Sequence, residues 1–344
     1  MRLLTNRVAI TLAITGLIIV GSHAVTEAAS ARPVKDFTIT VIETRHEFYP
    51  GGPTLLAWAF NGTVPGPELR VKQGEHIRVT FRNETNSDRT IHFHGLHLPN
   101  NMDGVPGISQ DPVPPGGTFV YDFVARTPGT HMYHCHVNSP HHVDMGMYGA
   151  FIVEPKDKRG EPRVDKDVTL MLDEWIIDED SGDHATMSHP RLLKDANYFT
   201  INGKSFPATA PLRVKEGKRV RIRLINIGYL VHSMHLHGHA GEITHTDGHR
   251  LREPLHKDTV LIGPGERYDF VFTADNPGTW LFHDHIIPFA TNDGDYPGGL
   301  VMAIVYEGKG NKEKSDRLRD ATARAAQYFV QNLGEDTAAY KYAL

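Results

Sequence analysis

Apolar residues recur at every second position in short runs along this chain, among them HIRVTF (76–81), TFVYDFV (118–124), RVRIRL (219–224) and RYDFVFT (267–273). Alternate residues of a strand share a face, so each run predicts a strand with one face on a core and one toward water. The turn signals NG, PG, PGG and NPG punctuate the runs. Short strands so closely spaced predict an antiparallel sandwich. Only the far end departs from this period. In residues 311–344, Leu318, Ala321, Ala325, Tyr328 and Phe329 fall at helical spacing, which predicts a C-terminal helix within 307–344.

The pattern occurs twice. FNGTVPGPELRVKQGEHIRVTFRNE (60–84) resembles INGKSFPATAPLRVKEGKRVRIRLIN (201–226). A constant offset of 143 pairs Leu69 with Leu212, His92 with His235 and His94 with His237. FVYDFVARTPGTHMYHCHV (119–137) resembles YDFVFTADNPGTWLFHDHI (268–286) at a slightly larger offset. An internal repeat of this length means two like domains. We expect them at 33–155 and 167–306, joined by the charged stretch KDKRGEPRVDK.

Composition removes several function classes. A net charge of -5, from 36 basic and 41 acidic residues with no basic cluster outside the tail, argues against a nucleic-acid partner. Residues 1–31 read as an export signal. Arg2 and Arg7 precede an apolar run from Val8 to Val20, and small residues offer cleavage sites after Ala24 or Ala31. The run falls short of the roughly 20 residues that span a bilayer. The mature protein is therefore expected in the periplasm or outside the cell. The single cysteine excludes an internal disulfide, so Cys135 is an inert core thiol, a reactive thiol or a metal ligand.

The 22 histidines outnumber the 15 phenylalanines and the 12 tyrosines, and they cluster. Each repeat holds two His-x-His pairs: His92 and His94, His134 and His136, His235 and His237, His283 and His285. On a strand the two imidazoles of a pair share a face, while the residue between them points the other way. Four pairs at equivalent repeat positions offer eight metal ligands. Imidazoles alone suit zinc, copper, iron or nickel. The thiol narrows the choice: Cys135 points away from His134 and His136, and His142 and Met147 follow it. Cysteine, histidine and a weak methionine are the ligands of a blue-copper electron-transfer site.

IHFHGLHLP, HMYHCHVNSPHHVDMGMYGAFIVEP, MHLHGHA and LFHDHI resemble the four copper motifs of the multicopper oxidases, in particular the two-domain, laccase-like members. The resemblance spans about residues 37–306. It implies an all-β chain of two tandem cupredoxin-like Greek-key sandwiches. It also implies a type 1 copper that takes single electrons from a small reducing substrate, phenol-like, or a protein donor, and a trinuclear cluster that reduces dioxygen to water. In two-domain members that cluster lies between domain one of one subunit and domain two of the next, so a homotrimer is implied, with about four coppers per subunit by ligand count. Carried over, His92, His94, His134, His136, His235, His237, His283 and His285 would hold the cluster. Cys135, His142 and Met147 would hold the type 1 copper. Asp103, in MDGVPG, resembles the family's acidic proton donor, although an aspartate before glycine is also what a turn requires.

One position departs from the family. The first type 1 histidine normally stands three residues before a His-x-His pair. In the second repeat that residue is His232, but Asp284 stands at the thiol position; in the first, which owns Cys135, it is Arg89. His97 or His141 are candidate substitutes, and a register slip would make His92 a type 1 ligand at the cost of the 143 offset. Two other functions compete. A copper nitrite reductase also has two cupredoxin domains and a trimeric assembly, but needs three histidines for its second copper. A copper-binding or cuprous-ion-oxidising protein is the other, for which EITHTDGHRLREPLH (242–256) is a surface candidate.

Overall fold

The computed structural model describes residues 34–178, 186–187 and 196–307. The expected export signal and C-terminal helix lie outside them. Val34–Glu47 runs beside Thr54–Phe60 on one side and His76–Asn83 on the other, with Thr118–Val124 completing a four-stranded sheet. A second sheet orders Leu69–Lys72, Tyr148–Glu154, Gly129–His134 and His92–His94. Ile39, Ile77, Val79 and Phe81 of the first sheet meet Val71, Phe93, Tyr133 and Phe151 of the second in one buried cluster, which makes the pair a sandwich.

The second half repeats this plan at larger size. One sheet orders Tyr198–Ile201, Lys166–Trp175, Arg219–Asn226, Arg267–Thr273, Gly241–Thr246 and His249–Lys257. Facing it are Leu212–Val214, Val301–Tyr306, Thr279–Asp284, His232–Leu236 and Thr259–Ile262. Equivalent strands pair in equivalent ways. Val34–Glu47 is parallel to His76–Asn83 as Lys166–Trp175 is to Arg219–Asn226, and His92 faces His134 as His235 faces His283. The repeat seen in sequence is thus a repeat of strand topology.

In one strand the alternation misleads. RVRIRL predicts arginines in water, yet Arg221 and Arg223 are buried. Arg223 makes a bidentate pair with Asp167, at 2.8 and 2.7 Å, and reaches Asp269 at 3.2 Å and Thr130 at 2.8 Å. Thr130 also donates to Asp269 at 2.5 Å. This face of the second sandwich meets a strand of the first, so Arg223, Asp167, Asp269 and Thr130 pair with one another rather than with water. Gly129 and Gly248 allow the close approach: a Cβ on Gly129, at φ +129°, would lie 2.3 Å from the Gly248 backbone. A third apolar cluster, with Phe48, Ala57 and Tyr148 from one half and Met171, Trp175 and Ile225 from the other, seals the seam. EITHTDGHRLREPLH is the hairpin whose outer strand, His249–Lys257, is an exposed sheet edge. Its His245 is buried against Glu161 and Asp269.

Candidate metal centres

The short strand His92–His94 lies antiparallel to Gly129–His134, and the chain continues past Cys135 to His136. Ring centroids lie 5.3 Å apart for His92 and His134, 5.4 Å for His92 and His136, and 6.0 Å for His94 and His134. Donor atoms of His92, His94 and His134 all fall within 4.8 Å of one another, the one such grouping among the described residues. Backbone carbonyls set two of the rings. Nδ1 of His92 donates to Asp103 O at 2.7 Å and Nδ1 of His134 to Cys135 O at 2.9 Å, which leaves Nε2 of each with its lone pair free. Burial pushes His94 down to about 4 and His134 to about 3, and lowers His92 as well. All three are therefore neutral imidazoles at ordinary pH, the form that binds metal. His92 belongs to this group, not to the Cys135 pocket, so the register slip is not adopted.

Asp103 keeps its side chain here too, with Oδ1 3.4 Å from Nδ1 of His92. Gly104 makes that possible. At φ +82°, a Cβ there would stand 1.9 Å from the Ile91 carbonyl oxygen.

The second half builds a matching quartet. Centroids are 4.9 Å apart for His235 and His237, 5.5 Å for His235 and His285, and 4.9 Å for His237 and His283. Nε2 of His237 and Nε2 of His283 converge to 2.9 Å, while Nδ1 of His283 donates to Asp284 O at 2.8 Å. Every ring contact among the eight joins members of the same quartet. A single chain thus presents two groups of four rather than one of eight.

On the other side of the Cys135 strand lies a different pocket. Cys135 Sγ is 3.2 Å from His142 Nδ1, delivered by the helix Ser139–Asp144, and Cys135 N donates to Met147 O at 3.1 Å. Met147 is fully buried in the same apolar cluster as Cys135. Burial pushes the thiol up to about 11, and burial followed by the Arg89 charge pulls His142 down to about 3. A thiol touching a neutral imidazole fits a soft metal ion. Trp58 meets the rings of His141 and His142 edge-on, each at 5.2 Å. His97 is exposed on a loop, its amide donating to Thr127.

The equivalent place in the second half is an ion pair that sequence reading missed. His232 is fully buried, with Nδ1 2.8 Å from Asp284 and Nε2 3.3 Å from Glu174. Glu174 comes from the distant strand Lys166–Trp175, and only the fold brings it here. Burial pulls the imidazole's pKa down, but bonds to Asp284 and Glu174 outweigh it and lift it to about 9. Because the folded pKa stands above the unfolded 6.5, the stabilisation is complete below pH 6.5 and is lost as pH rises through about 9. His232→Ala should cost about 3–5 kcal/mol by stranding two buried carboxylates. Thermal unfolding of both proteins should show that gap narrowing between pH 6.5 and about 9; a constant gap would mean a neutral His232.

Residues 42–158 and 181–294 each match a family model described as multicopper oxidase. The chain belongs to the multicopper oxidase family. Among solved members, the blue copper oxidase from Nitrosomonas europaea is 41% identical and superposes with a TM-score of 0.74 over 80% of this chain and 86% of that one. Copper resistance protein A of Escherichia coli is 34% identical over 316 residues, 87% of this chain but 46% of that protein. The chain spans about half the length of such curated relatives. The copper nitrite reductase from Nitrosomonas europaea is also similar, at 26% identity and a TM-score of 0.67, over 80% of this chain and 95% of that one.

Proposed function

We propose that this chain is an exported two-domain oxidase, with domains at 33–155 and 167–306, that couples one-electron oxidation of a small phenol-like reductant to reduction of dioxygen to water. In this reading the first quartet of one subunit and the second quartet of its neighbour in a homotrimer jointly hold a copper cluster. Copper supplies the one-electron redox change at the Cys135 pocket and the site of dioxygen reduction at the quartets.

The protein's own contribution is placement. Cys135 and Met147, buried in one apolar cluster, and His142, whose Nδ1 meets the thiol, would hold the electron-accepting end. Cys135 is covalently continuous with His134 and His136, so the backbone would offer an electron a direct path from the thiol to the quartet. Carbonyl acceptors at Nδ1 fix the rings of His92, His134 and His283, leaving Nε2 free in His92 and His134 and turning that of His283 onto Nε2 of His237. Asp103, partly exposed and with Oδ1 3.4 Å from His92 Nδ1, would carry protons from solvent toward the quartet.

The observation that carries this reading is that both members of every His-x-His pair join a quartet. A reductase with one three-histidine copper would leave several of them idle. Copper analysis of the purified protein should give about four per chain for the oxidase and about two for the reductase, by ligand count. Cys135→Ser should remove one of them and abolish oxidase turnover, since a hydroxyl is a poor soft-metal ligand. Two coppers per chain with nitrite reduced faster than dioxygen would replace this function by the reductase.

A further inference from the structure

Arg89 is fully buried, and no carboxylate forms an ion pair with it among the described residues. Its Nη1 donates to Ser87 Oγ at 2.5 Å and to Asp88 O at 2.8 Å. Nε and Nη2 have no hydrogen-bond partner among the described residues. The guanidinium lies over the face of Trp58, with Cζ 4.2 Å from the ring centroid, and that same ring meets His142 edge-on. The groups that feel its charge are Cys135, Glu43 and Asp88, together with His142. Guanidinium has no lone pair and does not deprotonate, so Arg89 is not a ligand but a permanent charge.

The internal repeat shows what this place does. The residue equivalent to Arg89 is His232, and it faces Asp284, which sits between the two histidines of its pair as Cys135 does. In the second half the cation is balanced by Asp284 and Glu174. In the first, the cation is fixed, and Cys135, within reach of its charge, stands at the position equivalent to Asp284. A buried charge with no ion-pair partner among the described residues is weakly screened, so it acts on whatever shares the pocket.

We propose that Arg89 sets the redox preference of the Cys135–His142 pocket: its fixed positive charge takes the place of a nitrogen donor and shifts bound copper toward the cuprous state. The inference rests on the Cys135 pocket holding copper. Two physical effects point the same way. A nearby positive charge penalises the more highly charged cupric ion, more so at low dielectric. With Arg89 in place of a second imidazole, the soft thiolate and thioether weigh more in the donor set, and soft donors select the cuprous ion. Arg89 is thus a positioning residue whose effect is on potential, and the pocket is tuned to accept an electron from weakly reducing substrates.

The test is redox titration of the pocket copper, followed by its thiolate-to-copper absorption, in the assembled protein and in R89K, R89Q and R89H. R89Q should lower the Cu(I):Cu(II) ratio at fixed ambient potential by about tenfold or more, equal to about 59 mV or more for one electron. R89H, which removes the charge and adds an imidazole, should lower it further, while R89K keeps most of the wild-type value. Loss of packing alone would not spare R89K and shift R89Q. An unchanged potential in R89Q and R89H, with copper bound, overturns the role of Arg89 and leaves the oxidase reading intact. A wild-type protein from which Cys135→Ser removes no copper overturns both. Should R89Q fail to fold, the order of R89H against R89K decides.

Discussion

His136→Ala and His285→Ala should each cut dioxygen reduction by more than roughly 100-fold, because loss of groups that merely support metal ligands already costs 10–100-fold. These residues are the second members of their pairs, and each contacts the first member of the facing pair, at 5.4 Å for His92 and His136 and 5.5 Å for His235 and His285. A site with a single copper would tolerate the loss of one of them. A site with several coppers has no imidazole to spare. The Cys135 pocket opens on the opposite face of its strand, so in both variants it should still take an electron from a reductant. The expected signature, in stopped-flow absorption, is a protein that reduces normally and is not reoxidised by air. Turnover retained in both variants would show that the quartets do not act as multicopper ligands.

Much of this architecture is legible in the chain itself. Alternation in HIRVTF and its equivalents marks the strands, and the 143-residue offset marks the repeat. The His-x-His pairs mark the quartets because strand geometry puts both rings on one face. The same geometry separates Cys135 from its two histidine neighbours and directs it to His142.

Other features were not legible, for physical reasons. Arg221 and Arg223 sit at positions that alternation assigns to water, and a hydropathy pattern does not distinguish a solvated face from a polar seam between two sandwiches. Glu174 reaches His232 from 58 positions away, a contact created by tertiary packing alone. Arg89 was visible as a departure from a ligand pattern, but its burial, its place over Trp58 and its unpartnered nitrogens are properties of the fold. The grouping of eight histidines as four and four within a chain is likewise a matter of where the two sandwiches sit.

That grouping makes a second large effect. If each cluster needs the first quartet of one subunit and the second of its neighbour, two dead variants should rescue one another. In a mixed trimer of His136→Ala and His285→Ala chains, one junction always joins an intact first quartet to an intact second quartet. Co-expression of the two chains in equal amounts, with random assembly of the cyclic trimer, should restore about a quarter of wild-type sites in the whole mixture and about a third in trimers that carry both chains. The decisive measurement is oxygen consumption by the co-expressed pair, purified through a different tag on each chain and compared with either variant alone. The account predicts recovery of turnover far above both parents. Mixed assemblies as inactive as their parents would contradict it, since each cluster would then be built within a single chain.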